Sequence, residues 1–204
     1  MKIICDDGAE VIIEIPEGMK NIGVMVSGGM DSALLLYLLM LEKTRDVKLQ
    51  VFNVPNIKDN ASKFSRAVVN YIENKFCEEI KYTNVGDGTL RHNFLTRIPA
   101  TRILQNKIVE RLYVGINQNP PVQFPKLGPW RQDPNSVIPN NLSFPFIKLY
   151  KNHILEIYKK FNVLDLVHIT HSCTESLDTR CNECFQCYER AWAFSKLNLI
   201  DNGI

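Results

Sequence analysis

No long apolar run occurs in these 204 residues. The longest, Ala33–Leu41, has nine, against roughly 20 for a membrane-spanning helix. A secretory leader is not expected, because Cys5-Asp6-Asp7-Gly8 interrupts the first apolar residues too early. Neither sign of charge dominates. With 24 basic and 22 acidic residues the formal charge is +2, so no basic field argues for nucleic acid, and a nucleic-acid partner is not expected. Internal repeats and low-complexity tracts are lacking too. These absences lead us to expect a cytoplasmic protein with no membrane attachment. A 45% hydrophobic content is ordinary for a globular chain, and the length fits a single domain over residues 1–204. Cysteine occurs six times. In a reducing compartment that points to metal or chemistry before disulfides.

The most informative stretch is Val24-Met25-Val26-Ser27-Gly28-Gly29-Met30-Asp31-Ser32. Apolar residues Gly23–Val26 read as a buried strand, Ser27–Gly29 as a small turn, and the following Ala33-Leu34-Leu35-Leu36 as the start of a helix. A strand, a glycine turn and a helix N-terminus together make a phosphate site, because the first helical N–H groups are unpaired and the dipole favours an anion there. A lysine is absent from this turn, which excludes the ordinary P-loop. An acid, Asp31, stands at the mouth, and an acid beside phosphates requires a bridging cation such as Mg²⁺. The plainer alternative is a glycine turn that only caps its helix.

The remaining pattern is that of an α/β fold. Residues 2–15 read as a hairpin around Asp6-Asp7-Gly8, an N-terminal appendage over 1–18 that decorates an edge. The helix from Asp31 to about Lys43 is apolar on nearly every face. It therefore needs cover on both sides, from the sheet and from a neighbour such as a second subunit. Val47–Val54 and Glu79–Val85 read as strands, and Asn60–Phe76 as an amphipathic helix between them. This β-α-β-α-β order predicts a parallel sheet with helices on both faces. Further on, Thr101–Arg111 reads as a helix, Leu112–Gly115 as a short strand, Lys148–Phe161 as a helix, Leu164–Thr170 as a strand or arm, and Glu183–Leu197 as the last helix. Pro120, Pro121, Pro125, Pro129, Pro134 and Pro139 punctuate residues 117–145, an irregular loop of functional length.

The second strong signal is Cys173-x7-Cys181-x2-Cys184-x2-Cys187. Two C-x-x-C steps and a fourth thiol suffice for a closed tetrahedral Zn²⁺ site. An iron–sulfur cluster and a redox pair are the alternatives. Arg180 and Arg190 would offset the thiolate charge. His168 and His171 lie close by, but four thiols already close the shell. Cys5 and Cys77 read as small core residues.

Ser27–Ser32 resembles the S-G-G-x-D-S signature of the PP-loop ATP pyrophosphatases. With the cysteine pattern it resembles one subfamily, the 7-cyano-7-deazaguanine synthases of queuosine biosynthesis. That subfamily pairs S-G-G-M-D-S with S-C…C-x-x-C-x-x-C, matched here by Ser172-Cys173, Cys181, Cys184 and Cys187. Its P-L-I-x-x-x-K-x-x-I segment is matched by Pro145-Phe146-Ile147 through Lys151 to Ile154, and a basic residue after the last cysteine is matched by Arg190. The middle departs. Ile98-Pro99-Ala100-Thr101-Arg102 stands for V-P-x-R-N, Phe52-Asn53-Val54-Pro55 for Y-G-Q, and the Y-P-D-C-R segment is missing.

The resemblance implies an adenine nucleotide α-hydrolase-like, Rossmann-like fold with a C-terminal four-cysteine zinc element over 171–204. It implies ATP, Mg²⁺ and Zn²⁺ as cofactors. Val26, Ser27, Gly28, Gly29, Met30, Asp31, Ser32 and Asn53 would hold the nucleotide. Asp31, Ser32, Lys151 and Arg102 would act on the phosphates or the acyl-adenylate. Trp130, Asp133 and Arg190 would meet a deazapurine-like acceptor, with Trp130 and Phe124 available for stacking and Asp133 for an N–H pair. Arg91, Arg97 and Arg131 are expected to be loop or surface charges. The implied activity is an ATP-dependent ligase that adenylates a carboxylate and takes ammonia; separately, the apolar first helix leaves a homodimer among the expectations. Alternatives are a PP-loop enzyme with another acceptor, an amide or a tRNA base, and a nucleotide-binding module without chemistry.

Overall fold

The computed structural model describes residues 1–56, 60–86, 96–129, 131 and 139–203. Five strands form one sheet: β3 (Asn21–Met25), β4 (Lys48–Asn53), β5 (Lys81–Asn84), β6 (Arg111–Val114) and β7 (Leu142–Ser143). A two-stranded antiparallel hairpin, β1 (Lys2–Ile4) and β2 (Glu10–Ile12), precedes them. The sheet order is β5-β4-β3-β6-β7, and every pairing is parallel. The chain leaves β3 on one side to form β4 and β5, then returns on the other side as β6. Such a reversal opens a crevice beyond the carboxyl ends of the two strands, where α/β sheets place ligands.

Strand alternation assigns the two faces. Ile22, Val24, Leu49, Val51 and Tyr113 join the larger core, while Met25, Phe52, Leu112 and Val114 join a smaller one. The larger core takes α1 (Met30–Glu42), α2 (Ala61–Phe76), α4 (Lys151–Lys160), α5 (Leu164–His168) and α6 (Phe185–Lys196). The smaller is closed by Ala100 and Ile103 of α3 (Arg97–Gln105). The expected parallel sheet with helices on both faces is thus the architecture found.

The centre of the molecule is α1, buried almost without interruption from Met30 to Met40. It packs on β3 and β6 and against α2, α4 and α5. Its apolar faces are therefore covered within the chain itself. Each leucine removed from water here contributes about 1.5–3 kcal/mol. Lys43 turns extended and ends the helix, while its N–H still donates to the Leu39 carbonyl at 2.9 Å. By contrast α2 is amphipathic: Phe64, Val68 and Ile72 are buried at four-residue spacing on the face towards the core. Among the described residues no helix is long and apolar enough to cross a membrane.

Four expectations need correction. The third helix begins at Arg97 and not Thr101, and is over by Gln105. Leu164–His168 is a helix and not a strand or arm, because a short apolar run fits either period. Cys77 is exposed at the left-handed C-cap of α2 (φ 51°), outside the core. Finally, the hairpin is built into the fold. Ile3, Cys5, Val11 and Ile13 are buried in the main core, and the Asp6 N–H donates to Glu156 Oε1 of α4 at 2.7 Å. Burial pushes the Cys5 thiol up to about 12, with the Glu156 charge adding to it.

Candidate nucleotide cleft and four-cysteine site

Beyond Val26 the chain must turn sharply into α1, and Gly28 makes this possible. Its φ is +86°, and a Cβ there would lie 2.6 Å from Phe64 Cβ and 2.7 Å from the Ser65 nitrogen. Only glycine fits both the conformation and the space. The turn is held from several sides. Ser65 Oγ donates to the Val26 carbonyl at 2.9 Å, Ser32 Oγ to the Gly29 carbonyl at 3.1 Å, and the Ser27 N–H to Ser32 Oγ at 3.2 Å. The buried Tyr158 hydroxyl of α4 donates to the Met30 carbonyl at 2.6 Å. Gly29 caps α1 without a side-chain hydrogen bond, which leaves the first helical N–H groups available to an anion.

Ser27, Gly29, Met30 and Asp31 form one end of a cavity of about 930 Å³. Other walls come from α3, the residues after β6 (Gly115–Asn117), Pro129 and Arg131, Asn141, Leu142 and Phe144, Lys151, His171–Thr174, and Gln186 and Glu189 of α6. The glycine turn, the lysine and the cysteine element therefore share one cleft. Lys151 forms an ion pair with Asp31 and stands 3.5 Å from Glu189. Glu189 is fully buried. It is held by the Arg131 guanidinium through bonds of 2.9 and 2.8 Å and by Asn117 Nδ2 at 3.4 Å. Burial alone would raise its carboxyl. The Lys151 and Arg131 charges and the Arg131 and Asn117 hydrogen bonds outweigh burial and hold it below the ordinary range. Asp31 Oδ1 is buried with no hydrogen-bond partner among the described residues. An orphaned carboxylate oxygen beside a phosphate turn fits a Mg²⁺ ligand.

The ligand atoms of Cys173, Cys181, Cys184 and Cys187 lie within 4.8 Å of one another. Two of the S···S distances are 4.0 Å (Cys173–Cys184) and 3.9 Å (Cys181–Cys187). A tetrahedral ion with metal–sulfur bonds of about 2.3 Å spaces its thiolates by about 3.8 Å, so the group can hold one ion. The Glu183 and Cys184 N–H groups point at Cys181 Sγ at 3.4 and 3.2 Å. Burial raises the Cys181 thiol, but these donors and the neighbouring thiols outweigh it and bring it to about 7. Burial pushes Cys173 and Cys187 up. The element is fastened to the phosphate turn: the His171 N–H donates to the Gly28 carbonyl at 3.0 Å, and the His171 ring stacks on Phe64 with centroids 4.3 Å apart.

Of the residues expected at the site, Ser27, Gly29, Met30, Asp31 and Lys151 line the cavity, with Val26, Gly28 and Ser32 forming the turn behind them. Asn53 does not reach it. Buried at the end of β4, it donates to Ser62 Oγ and Asn84 Oδ1 and ties neighbouring elements together. Arg102 is exposed and off the cavity, because α3 presents Arg97, Ala100, Thr101 and Leu104 and turns Arg102 away. Arg97 takes its place on the wall. Arg190 is also off the cavity. It is fully buried and spends its donors on Asp201, Thr170, Ser172 and the Val167 carbonyl. Phe124 packs edge-on against Phe185 at 5.4 Å and anchors its loop. Arg131 is an internal clamp and not a surface charge. Trp130, Asp133 and Arg91 lie outside the described residues. Sequence reasoning missed Glu189. Its one signal was an acid in the helical turn just after Cys187.

A Rossmann-like α/β domain, with a parallel sheet and a cleft at its switch point, is the class this architecture defines. The fold is shared with the U34-tRNA thiolase NcsA from Methanococcus maripaludis, a structure with its [4Fe-4S] cluster: TM-score 0.53, 15% identity, covering 89% of this chain and 66% of that one. The chain thus spans just under two thirds of the thiolase. An NH3-dependent NAD synthetase from Campylobacter jejuni subsp. jejuni gives a TM-score of 0.46 at 14% identity, over 74% of this chain and 68% of that one. No curated protein sequence matches the chain significantly. More particularly, the family model of the queuosine biosynthesis protein QueC matches residues 134–198, which hold Lys151 and all four clustered cysteines. The C-terminal third of the chain is thus similar to that family, and the chain as a whole shares its fold with the thiolase.

Proposed function

We propose that this chain cleaves ATP to AMP and pyrophosphate while adenylating the carboxylate of a deazapurine-like acceptor such as 7-carboxy-7-deazaguanine, and that ammonia then displaces AMP to give the amide and, with a second ATP, the nitrile. One observation carries the reading. A lysine-free glycine turn with Asp31 at its mouth opens onto a cavity that extends well past the phosphate end, leaving room for a second substrate. The acceptor carboxylate oxygen attacks the α-phosphorus and pyrophosphate departs. The N–H groups at the start of α1 and the Ser27 and Ser32 hydroxyls would hold the leaving phosphates, and Lys151 would offset their charge. Bound Mg²⁺ would supply charge neutralisation at the phosphates, with Asp31 its protein ligand. Zn²⁺ on the four cysteines would hold the end of the cleft in shape, a structural and not a catalytic role.

Incubation with ATP, Mg²⁺, ammonia and 7-carboxy-7-deazaguanine, followed by mass spectrometry, tests this. The expected products are AMP, pyrophosphate and the amide or nitrile. ADP as the only nucleotide product rejects the reading.

A second reading is a PP-loop enzyme acting on a tRNA base, with the thiolase of shared fold as its parallel. What favours it is the placement of Cys173, which lines the same cavity as Asp31. The same assay with tRNA and a sulfide source would then give a sulfur-containing nucleoside.

A further inference from the structure

Among the described residues Lys151 has two carboxylates within reach, and only one of them is free of the proposed nucleotide chemistry. Its contact with Asp31 closes one side, and Glu189 stands 3.5 Å away on the other. Lys151 is the first residue of α4, where the helix dipole disfavours a cation. Its side chain is almost fully buried. The ammonium is therefore held in the cleft by its carboxylates and not by its own helix. A divalent cation on the unpartnered Asp31 Oδ1 would draw on the same carboxylate charge that Lys151 uses through Oδ2, and so would weaken the hold of Asp31 on the ammonium. Glu189 cannot follow Asp31. Both of its oxygens are clamped by Arg131, whose Nη1 also donates to the carbonyls of Asn117 at 3.1 Å and Gln118 at 2.6 Å. Arg131 Nη1 and one Nη2 hydrogen are thereby engaged.

We propose that Glu189 is a positioning residue that keeps the Lys151 ammonium at the phosphates once Asp31 engages the nucleotide's cation, with Arg131 as the fixed counter-charge of Glu189 and not an acceptor-binding group. This rests on the nucleotide reading above. It gives the four-cysteine element a task in the reaction. Glu189 lies two residues beyond Cys187 on α6, so the position of that helix decides where the lysine points.

Glu189→Gln in the full, metal-loaded chain is the test, with two readouts. In steady-state AMP release, kcat is expected to fall about tenfold or more, with KM for ATP within about twofold of wild type, and Glu189→Asp to recover part of the loss. An equal rise in KM, or no change in kcat, overturns the proposal. The second readout is labelling of Lys151 by an amine-reactive ester at one fixed pH, read by peptide mass spectrometry. Wild-type Lys151 is expected to stay protected with and without Mg²⁺ and a nonhydrolysable ATP analogue. In Glu189→Gln, protection is expected to fail only when both are present. Unchanged protection, or loss without the analogue, overturns the assignment. If Glu189→Gln does not fold, Glu189→Asp carries the same comparison. Should calorimetry show the analogue bound while wild type releases no AMP with any acceptor, the reaction is wrong and labelling still decides Glu189. If the analogue does not bind, both readings fall.

Discussion

The backbone N–H of His171 donates to the carbonyl of Gly28 at 3.0 Å. Through this bond the strand of chain leading into the cysteines is fastened to the phosphate turn. Metal retention and nucleotide affinity should therefore change together. We expect one zinc per chain by elemental analysis. Cys184→Ser should lose it, lower Tm by roughly 10 °C, and weaken binding of an ATP analogue measured by calorimetry. An iron–sulfur chromophore, or full nucleotide affinity in the metal-free variant, would contradict this.

Asp31→Ala should abolish AMP formation. The fold should survive, because Lys151 keeps Glu189 as a partner. Circular dichroism and the thermal midpoint should stay close to wild type, whereas a cooperative loss of structure would mean that Asp31 serves the fold.

Gly28→Ala tests the turn. The side chain must occupy a left-handed conformation and meet Phe64 and Ser65 at once. A loss of about 1–3 kcal/mol is expected from backbone strain alone, together with loss of ATP binding. Gly8 also has positive φ, but a Cβ there meets nothing within 4 Å, so Gly8→Ala should cost less and spare binding. Urea titration separates the two.

Leu36→Ala should destabilise by about 2–5 kcal/mol, the usual range for truncating a fully buried leucine. A smaller loss in denaturant unfolding would mean that α1 can settle into the space.

Acid should loosen the C-terminal segment. Burial would raise the Asp201 carboxyl, but hydrogen bonds and charge from Arg190, then the Arg180 charge, outweigh it and hold it low. A carboxyl held low in the folded state contributes stability above its unfolded value of about 4, and that contribution fades as pH falls through the folded value. Stability should thus drop below about pH 4 in wild type. Asp201→Asn should be less stable at pH 7 and flatter across that acid range, as thermal melts at several pH values would show.

Local segments of sequence determined the glycine turn, the cysteine set and the parallel α/β architecture. The turn is a contiguous run whose glycines and helix start have backbone consequences on the spot, and three of the four cysteines lie within one turn and the start of one helix. Helix phase was harder. The resemblance pointed to Arg102, and the helix was expected only from Thr101, whereas the helix beginning at Arg97 turns Arg97 to the cleft and Arg102 outward. A short apolar run such as Leu164–His168 carries too few residues to separate the two periods.

What only the tertiary structure decided is the charge network of the cleft. Asp31 and Lys151 are 120 residues apart, and Arg131 and Glu189 are 58 apart. Chain spacing says nothing about such pairs. They exist because the sheet reverses at β3 and brings α4, α6 and the Pro-rich segment to the same carboxyl edge. Arg190 and Glu189 are adjacent in sequence, yet one helical step sends Glu189 into the cleft and buries Arg190 against Asp201. That division of roles follows from how α6 is seated, and no single stretch of sequence contains it.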